Sequence, residues 1–191
     1  MLNDLVKSCR SYRSFSPDVR ISREMLLSFV DTARISASTR NSQPLKYRLV
    51  YTQEECDKVL PLTRWAGALT HIKLPPVGHA PVAYVVVCHD TNVAPAQPIF
   101  LKDVGICSEL IMLAATEQGF GGCIIGSVNY DELRVALSLP DHLVPQLVLA
   151  LGKPDETVVL TDAEDGNVQY YRDENNVHYT PKRSLSEIVV E

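Results

Sequence analysis

Residues 82–88, VAYVVVC, are apolar without a break and rich in β-branched side chains. A strand with one wet face alternates apolar and polar residues, so an unbroken run predicts a strand covered on both faces and central in its sheet. The rest of the chain must supply the covering layers. With 191 residues, 46% of them hydrophobic, it is long enough to do so as a single domain over 1–191.

Local signals mark those layers. Ser22 reads as a helix N-cap, with Ile21 and Leu26 placed to pack across it, and opens a helix over about 23–35 that carries Met25, Leu26, Phe29, Val30 and Ala33 on one face. The polar stretch SASTRNSQP ends it, giving a loop at 36–44. YRLVY at 47–51 is a short strand, and Thr52 with Glu55 forms a capping box for another helix. Residues 61–81 mix prolines, glycine and histidines without a period, as a lid or rim does. A helix is predicted over 103–118, apolar almost all round at LIMLAA, which requires enclosure by other elements or by a partner subunit. GFGGCIIG at 119–126 holds a short buried strand, Asn129 caps a small helix over 132–137, and VPQLVLALG at 144–152 is the last long apolar strand. The stretch NVQYYRDENNVHYTPKR predicts a polar hairpin or extended arm within about 166–191. Helices and strands thus mix in one α+β domain.

Composition excludes several functions. A net charge of −5, from 18 basic and 23 acidic residues, gives no global attraction to nucleic acid or an anionic membrane. The five cysteines are odd in number, never form CxxC and lie largely in apolar runs, which fits a reducing compartment. The N-terminus has no apolar signal core, and no stretch reaches the roughly 18 apolar residues of a membrane span, so the expected location is cytoplasmic. GxSxG, P-loop, GxGxxG and HExxH motifs are absent, and His71, His79, His89, His142 and His178 lack ligand spacing, so no metal is expected. Chemistry then has to be borne by a cofactor, for which the protein supplies phosphate donors, polar groups and backbone amides.

Three segments carry such groups. In RSYR, Arg10 and Arg13 flank the Ser11 hydroxyl and could converge on one phosphate, or could form a solvated basic terminus. Ser38, Thr39, Asn41 and Gln43 could bind a chain of hydroxyls or form an Asx-rich turn. Lys182 and Arg183 could neutralise a phosphate or decorate a helix start.

Together, in this order, CRSYRSF at 9–15, ASTRNSQP at 37–44, GFGGCIIG at 119–126, LALGKPDE at 149–156 and PKRSLSEIV at 181–189 resemble the motifs of the nitroreductase family. The resemblance implies an α/β/α sandwich with a central mixed, mainly antiparallel sheet, in an intertwined homodimer with two FMN sites at the subunit interface. It implies FMN as cofactor, NADH or NADPH as donor, and ping-pong transfer to a small organic acceptor such as a nitroaromatic or quinone. Relatives with other reductive chemistry, dehalogenation or desaturation, and flavin binding without efficient turnover are the alternatives. By resemblance, Arg10, Ser11, Arg13, Lys182 and Arg183 match the phosphate and ribityl end of the site. Ser38, Thr39, Asn41 and Gln43 match the loop that reaches the flavin from the other subunit. Ile125 and Gly126 match the strand end whose main-chain N–H lies near the flavin ring. Cys9, Ala37 and Leu45 depart from the motifs, standing for an arginine, a proline and a tryptophan. Trp65, His71 and His79 are candidates for the acceptor-covering rim.

Overall fold

The run at 82–88 falls almost wholly inside β2 (Ala83–Asp90), every residue of which is buried. In this computed structural model, which describes residues 1–190, β2 pairs on one side with β1 (Leu45–Val50) and on the other with β4 (Leu143–Gly152). β3 (Gly121–Ile125) adds to the far side of β4, giving the order β1-β2-β4-β3 with every ladder antiparallel. The parallel element is a single bridge, Ser11 to Gly122, by which the N-terminal segment touches the outer edge of β3.

Strand alternation sorts the apolar side chains into two cores. Val85, Val87, Leu149 and Leu151 face one side, where α2 (Arg23–Arg34) contributes Leu26, Phe29 and Ala33, and α4 (Leu101–Glu117) contributes Val104, Ile111 and Ala115. Tyr84, Val86, Val148 and Ala150 face the other side, against Cys56 and Val59 of α3 (Gln53–Val59) and Leu133 of α5 (Tyr130–Ala136). Each fully buried valine or leucine contributes about 1.5–3 kcal/mol, so the sheet with helices on both faces is what this sequence stabilises most. The caps read from sequence are made: Ser22 accepts from Met25 N–H at 3.2 Å, Thr52 from Glu55 N–H at 3.3 Å and Asn129 from Glu132 N–H at 3.4 Å.

Within α4 the LIMLAA stretch is buried or half-buried at every position, the enclosure that its all-round apolar character requires, whereas nearer the helix start Leu101 is 57% and Ile106 45% exposed on the single chain. The leading helix α1 (Leu2–Ser8) buries none of its residues on the single chain, although Leu2, Leu5 and Val6 have the i, i+3, i+4 spacing of an apolar stripe.

A second sheet, β5 (Val158–Asp162), β7 (His178–Lys182) and β6 (Tyr171–Arg172), lies beside the first in the order β5-β7-β6. β6 and β7 are the expected hairpin, turned by Asp173, whose carboxylate accepts the N–H groups of Asn175 and Val177 at 2.9 Å each. β5 joins β7 in parallel, an element that the sequence does not announce. A last short helix, α6 (Leu185–Ile188), leaves Leu185 and Ile188 exposed. Among the described residues no helix is long and apolar enough to cross a membrane.

Candidate functional site

The segment from Cys9 to Phe15 runs along the edge strand β3. Tyr12 N–H donates to the Gly122 carbonyl at 2.8 Å, and its ring packs so tightly that a Cβ on Gly121 would lie 2.6 Å from it. Antiparallel strands turn alternate residues to alternate edges. The Gly122 carbonyl points to the outer edge, which by that alternation it shares with Ile124, while the main-chain groups of Ile125 turn toward β4. Gly126 lies just past the strand end, where a Cβ added to it would meet nothing nearer in its own chain than Leu147 Cδ2 at 3.6 Å. Cys9 is buried in the apolar core, which pushes its thiol pKa up. An arginine could not occupy that position without repacking.

Arg13 is only 8% exposed. Its Nη1 donates to the Ser11 carbonyl at 3.1 Å and to His178 Nε2 at 3.2 Å, and its guanidinium lies 5.2 Å from the centre of the Tyr170 ring. It enters none of the ion pairs among the described residues. Since Arg13 can only donate, His178 accepts through Nε2 and carries its proton on Nδ1, which is buried without a partner. Burial and the two guanidinium groups of Arg13 and Arg172 pull the His178 pKa down to about 4, so it is neutral at pH 7. Arg10 donates to the Val6 carbonyl at 2.6 Å, and the Nε atoms of both Arg10 and Arg13 are buried without partners.

Glu156 ties these pieces together. One of its carboxylate oxygens accepts the N–H groups of Arg13 and Ser14, and the other pairs with Arg172, the two side chains being 4% and 6% exposed. In the sequence Glu156 is merely the last residue of LALGKPDE, and its role is hidden there because its partners come from distant parts of the chain.

The loop at 38–43 sits elsewhere. The Ser38 hydroxyl donates to Asp103 of α4 at 2.9 Å, and Thr39 donates to the same carboxylate through its hydroxyl at 2.7 Å. Asn41 and Gln43 are linked to each other at the loop's outer side, Gln43 Nε2 to Asn41 Oδ1 at 3.2 Å. Beside them a cavity of about 200 Å³ is lined by Ser38, Gln43, Tyr47, Asp103 and Cys107. Asp103 does not stand out in the sequence because an acid in a helix first turn is ordinary. No hydrogen bond or ion pair among the described residues joins this loop to Arg10, Ser11 or Arg13 within one chain.

Lys182 and Arg183 also stand apart. Lys182 ends β7, four residues or about 13 Å along the strand from His178. Arg183 faces Glu187 at 3.5 Å. In the irregular segment, His79 pairs with Asp155 at 2.7 Å, His71 is exposed, and Trp65 lines an apolar cavity of about 460 Å³ with Leu60, Pro61, Leu74 and Val77. That rim is stitched beside Gly126 by Arg64 N–H to the Ser127 carbonyl and Asn129 N–H to the Leu62 carbonyl, both at 2.9 Å.

Comparison with known proteins bears on this arrangement. The model of the Nitroreductase family matches residues 6–153. A Methanothermobacter thermautotrophicus protein with the provisional name NADH dehydrogenase/NAD(P)H nitroreductase is 28% identical over 166 residues, 85% of this chain and 82% of the relative. The structure of a nitroreductase family protein from Streptococcus pneumoniae matches with a TM-score of 0.71 over 100% of both chains, at 17% identity. A provisionally named nitroreductase from Exiguobacterium sibiricum, solved in complex with FMN, matches with a TM-score of 0.66 at 21% identity, over 81% of this chain and 88% of that one. A family match that takes in both polar segments, the whole four-stranded sheet and its edge strand leaves one conclusion: the chain belongs to the nitroreductase family.

Proposed function

We propose that this protein is an FMN-dependent oxidoreductase that takes electrons from NADH or NADPH and passes them to a small organic acceptor such as a nitroaromatic or quinone. The observation that carries this reading is the family match over 6–153, which includes 9–13, 38–43 and 121–126 together. The FMN complex of the Exiguobacterium sibiricum relative and the nicotinamide-linked name of the Methanothermobacter thermautotrophicus relative support it.

The residues of this chain fit FMN. A phosphate needs cations whose charge is not already spent, and Arg13 is buried without a carboxylate partner while Arg10 and Arg13 both keep an unpaired Nε. Gly126 leaves room past the edge strand for a flat ligand that a larger residue would fill. FMN, when bound, would supply the acceptance of hydride from the nicotinamide and its onward transfer, chemistry that the polar side chains gathered here do not provide. Arg10, Ser11 and Arg13 hold its phosphate end, and Asn41 and Gln43 offer amides to its hydroxyl chain. The main chain at Ile125 and Gly126 donates to the ring, Gly126 being the one that lies past the strand end. Trp65 and its neighbours exclude water from the open face.

We propose a homodimer with a site at each end of the subunit interface. The exposed Leu101 and Ile106 on α4 support it, as do the exposed Leu185 and Ile188 on α6, because such faces gain by covering. The separation of the 38–43 loop from Arg13 within one chain supports it too, since a second subunit can bring the loop to the site. Lys182 and Arg183 act as phosphate donors only in that dimer.

Initial rates over a grid of nicotinamide nucleotide and quinone concentrations are expected to give parallel double-reciprocal lines, the pattern of one substrate leaving before the next binds. Intersecting lines would remove the ping-pong order.

A further inference from the structure

We propose that Asp103 is a positioning residue for the cofactor, holding the 38–43 loop in the shape that meets the ligand; this rests on the FMN reading above. Asp103 is 2% exposed and sits in the first turn of α4, where the helix terminus favours an anion. The side-chain and main-chain donors of the loop converge on it: Ser38 Oγ at 2.9 Å, Thr39 Oγ1 at 2.7 Å, and Thr39 N–H shared between both oxygens at 3.1 and 2.9 Å. No cation pairs with it among the described residues, so the carboxylate works as an anchor for this one segment.

The backbone just beyond the anchor explains why one is needed. Arg40, Asn41 and Gln43 have φ of 55°, 53° and 50°, in the left-handed region that residues with a Cβ disfavour, and such strain persists only where the surroundings impose it. Ser38 transmits the constraint, because its hydroxyl donates to Asp103 while accepting the Gln43 N–H at 3.1 Å. Gln43 in turn holds Asn41 through its side-chain amide. Removing the carboxylate releases Ser38 and Thr39 and, through Ser38, the strained stretch beyond. The same geometry divides labour within the loop. The hydroxyl protons of Ser38 and Thr39 are spent on Asp103 and the Gln43 amide N–H groups on Asn41, whereas Asn41 Nδ2 and Gln43 Oε1 have no partner among the described residues and face outward for the ligand.

The test is FMN affinity by quenching of flavin fluorescence, with far-UV circular dichroism as the folding control. Asp103→Ala is expected to weaken FMN binding about tenfold or more, the effect of losing charge-assisted hydrogen bonds. Asp103→Asn is nearly isosteric and carries the test where the alanine variant does not fold. It is expected to fall between wild type and alanine, because an amide keeps one acceptor but turns a donor toward the loop. Mixed dimers of Asp103→Ala with Arg13→Ala separate positioning from simple stability. They are expected to regain one FMN per dimer, since the site built from the unmutated loop of one subunit and the unmutated Arg13 of the other is intact. Recovery in Asn41→Ala mixed dimers but not in Asp103→Ala ones would overturn the proposal, as would wild-type affinity in both Asp103 variants. A wild-type protein that takes up no FMN would overturn the FMN reading and this inference together.

Discussion

Glu156→Ala is expected to cost about 3–5 kcal/mol of folding stability, read as a lower urea midpoint with an unchanged slope. The carboxylate is 4% exposed and serves three donors from two distant parts of the chain, the adjacent N–H groups of Arg13 and Ser14 and the Arg172 guanidinium. Without it Arg172 is a buried cation with no counter-charge, a short way from the equally unpaired Arg13, and two amides lose their acceptor. His178, the neighbouring imidazole, supplies no counter-charge, because it is neutral here and could only become a further cation. The penalty comes from the abandoned partners, so replacing Arg172 as well is expected to return part of the loss. In the Glu156→Ala/Arg172→Met double variant the remaining defect is that of two unsatisfied amides. A loss below about 1 kcal/mol in the single variant would mean that the pair behaves as a surface ion pair in solution.

Arg13→Ala is expected to weaken FMN binding by about ten- to a hundredfold, the equivalent of about 1.5–3 kcal/mol for a hydrogen bond to a charged group. The structure buries Arg13 against Tyr170 and His178 rather than in the solvated basic terminus that RSYR also allows, so alanine leaves a gap as well. Arg13→Met keeps most of the volume and separates the two effects. It is expected to restore much of the thermal stability lost in Arg13→Ala while binding FMN as poorly. Equal FMN affinity in wild type and Arg13→Met, measured by fluorescence quenching, would remove Arg13 from the site.

These two residues mark the boundary of what the sequence discloses. β2 is legible because an unbroken β-branched run has one stable environment, and the caps at Ser22, Thr52 and Asn129 because their partners lie three residues away. The β6–β7 hairpin is legible from its polar turn. Glu156, Asp103 and His178 are not legible as site supports, since their partners lie 143, 64 or 65, and 165 residues off, and nothing local distinguishes them from ordinary acids and histidines. The RSYR and STRNSQ segments stand out by composition, yet only the folded chain reveals that no hydrogen bond or ion pair among the described residues joins them and that Asp103 consumes two of the predicted donors. The enclosure of LIMLAA in α4 is legible because an all-round apolar stretch has no wet face to offer, whereas the exposed Leu101 and Ile106 carry no local signal of what covers them.

The most direct test is the visible spectrum of the purified protein, recorded before and after anaerobic addition of NADH or NADPH. A flavin-dependent oxidoreductase is predicted to absorb as oxidised FMN, directly or after reconstitution, and to bleach with one of the nucleotides. A colourless protein that FMN does not turn yellow would contradict the claim, leaving a nitroreductase scaffold without its cofactor.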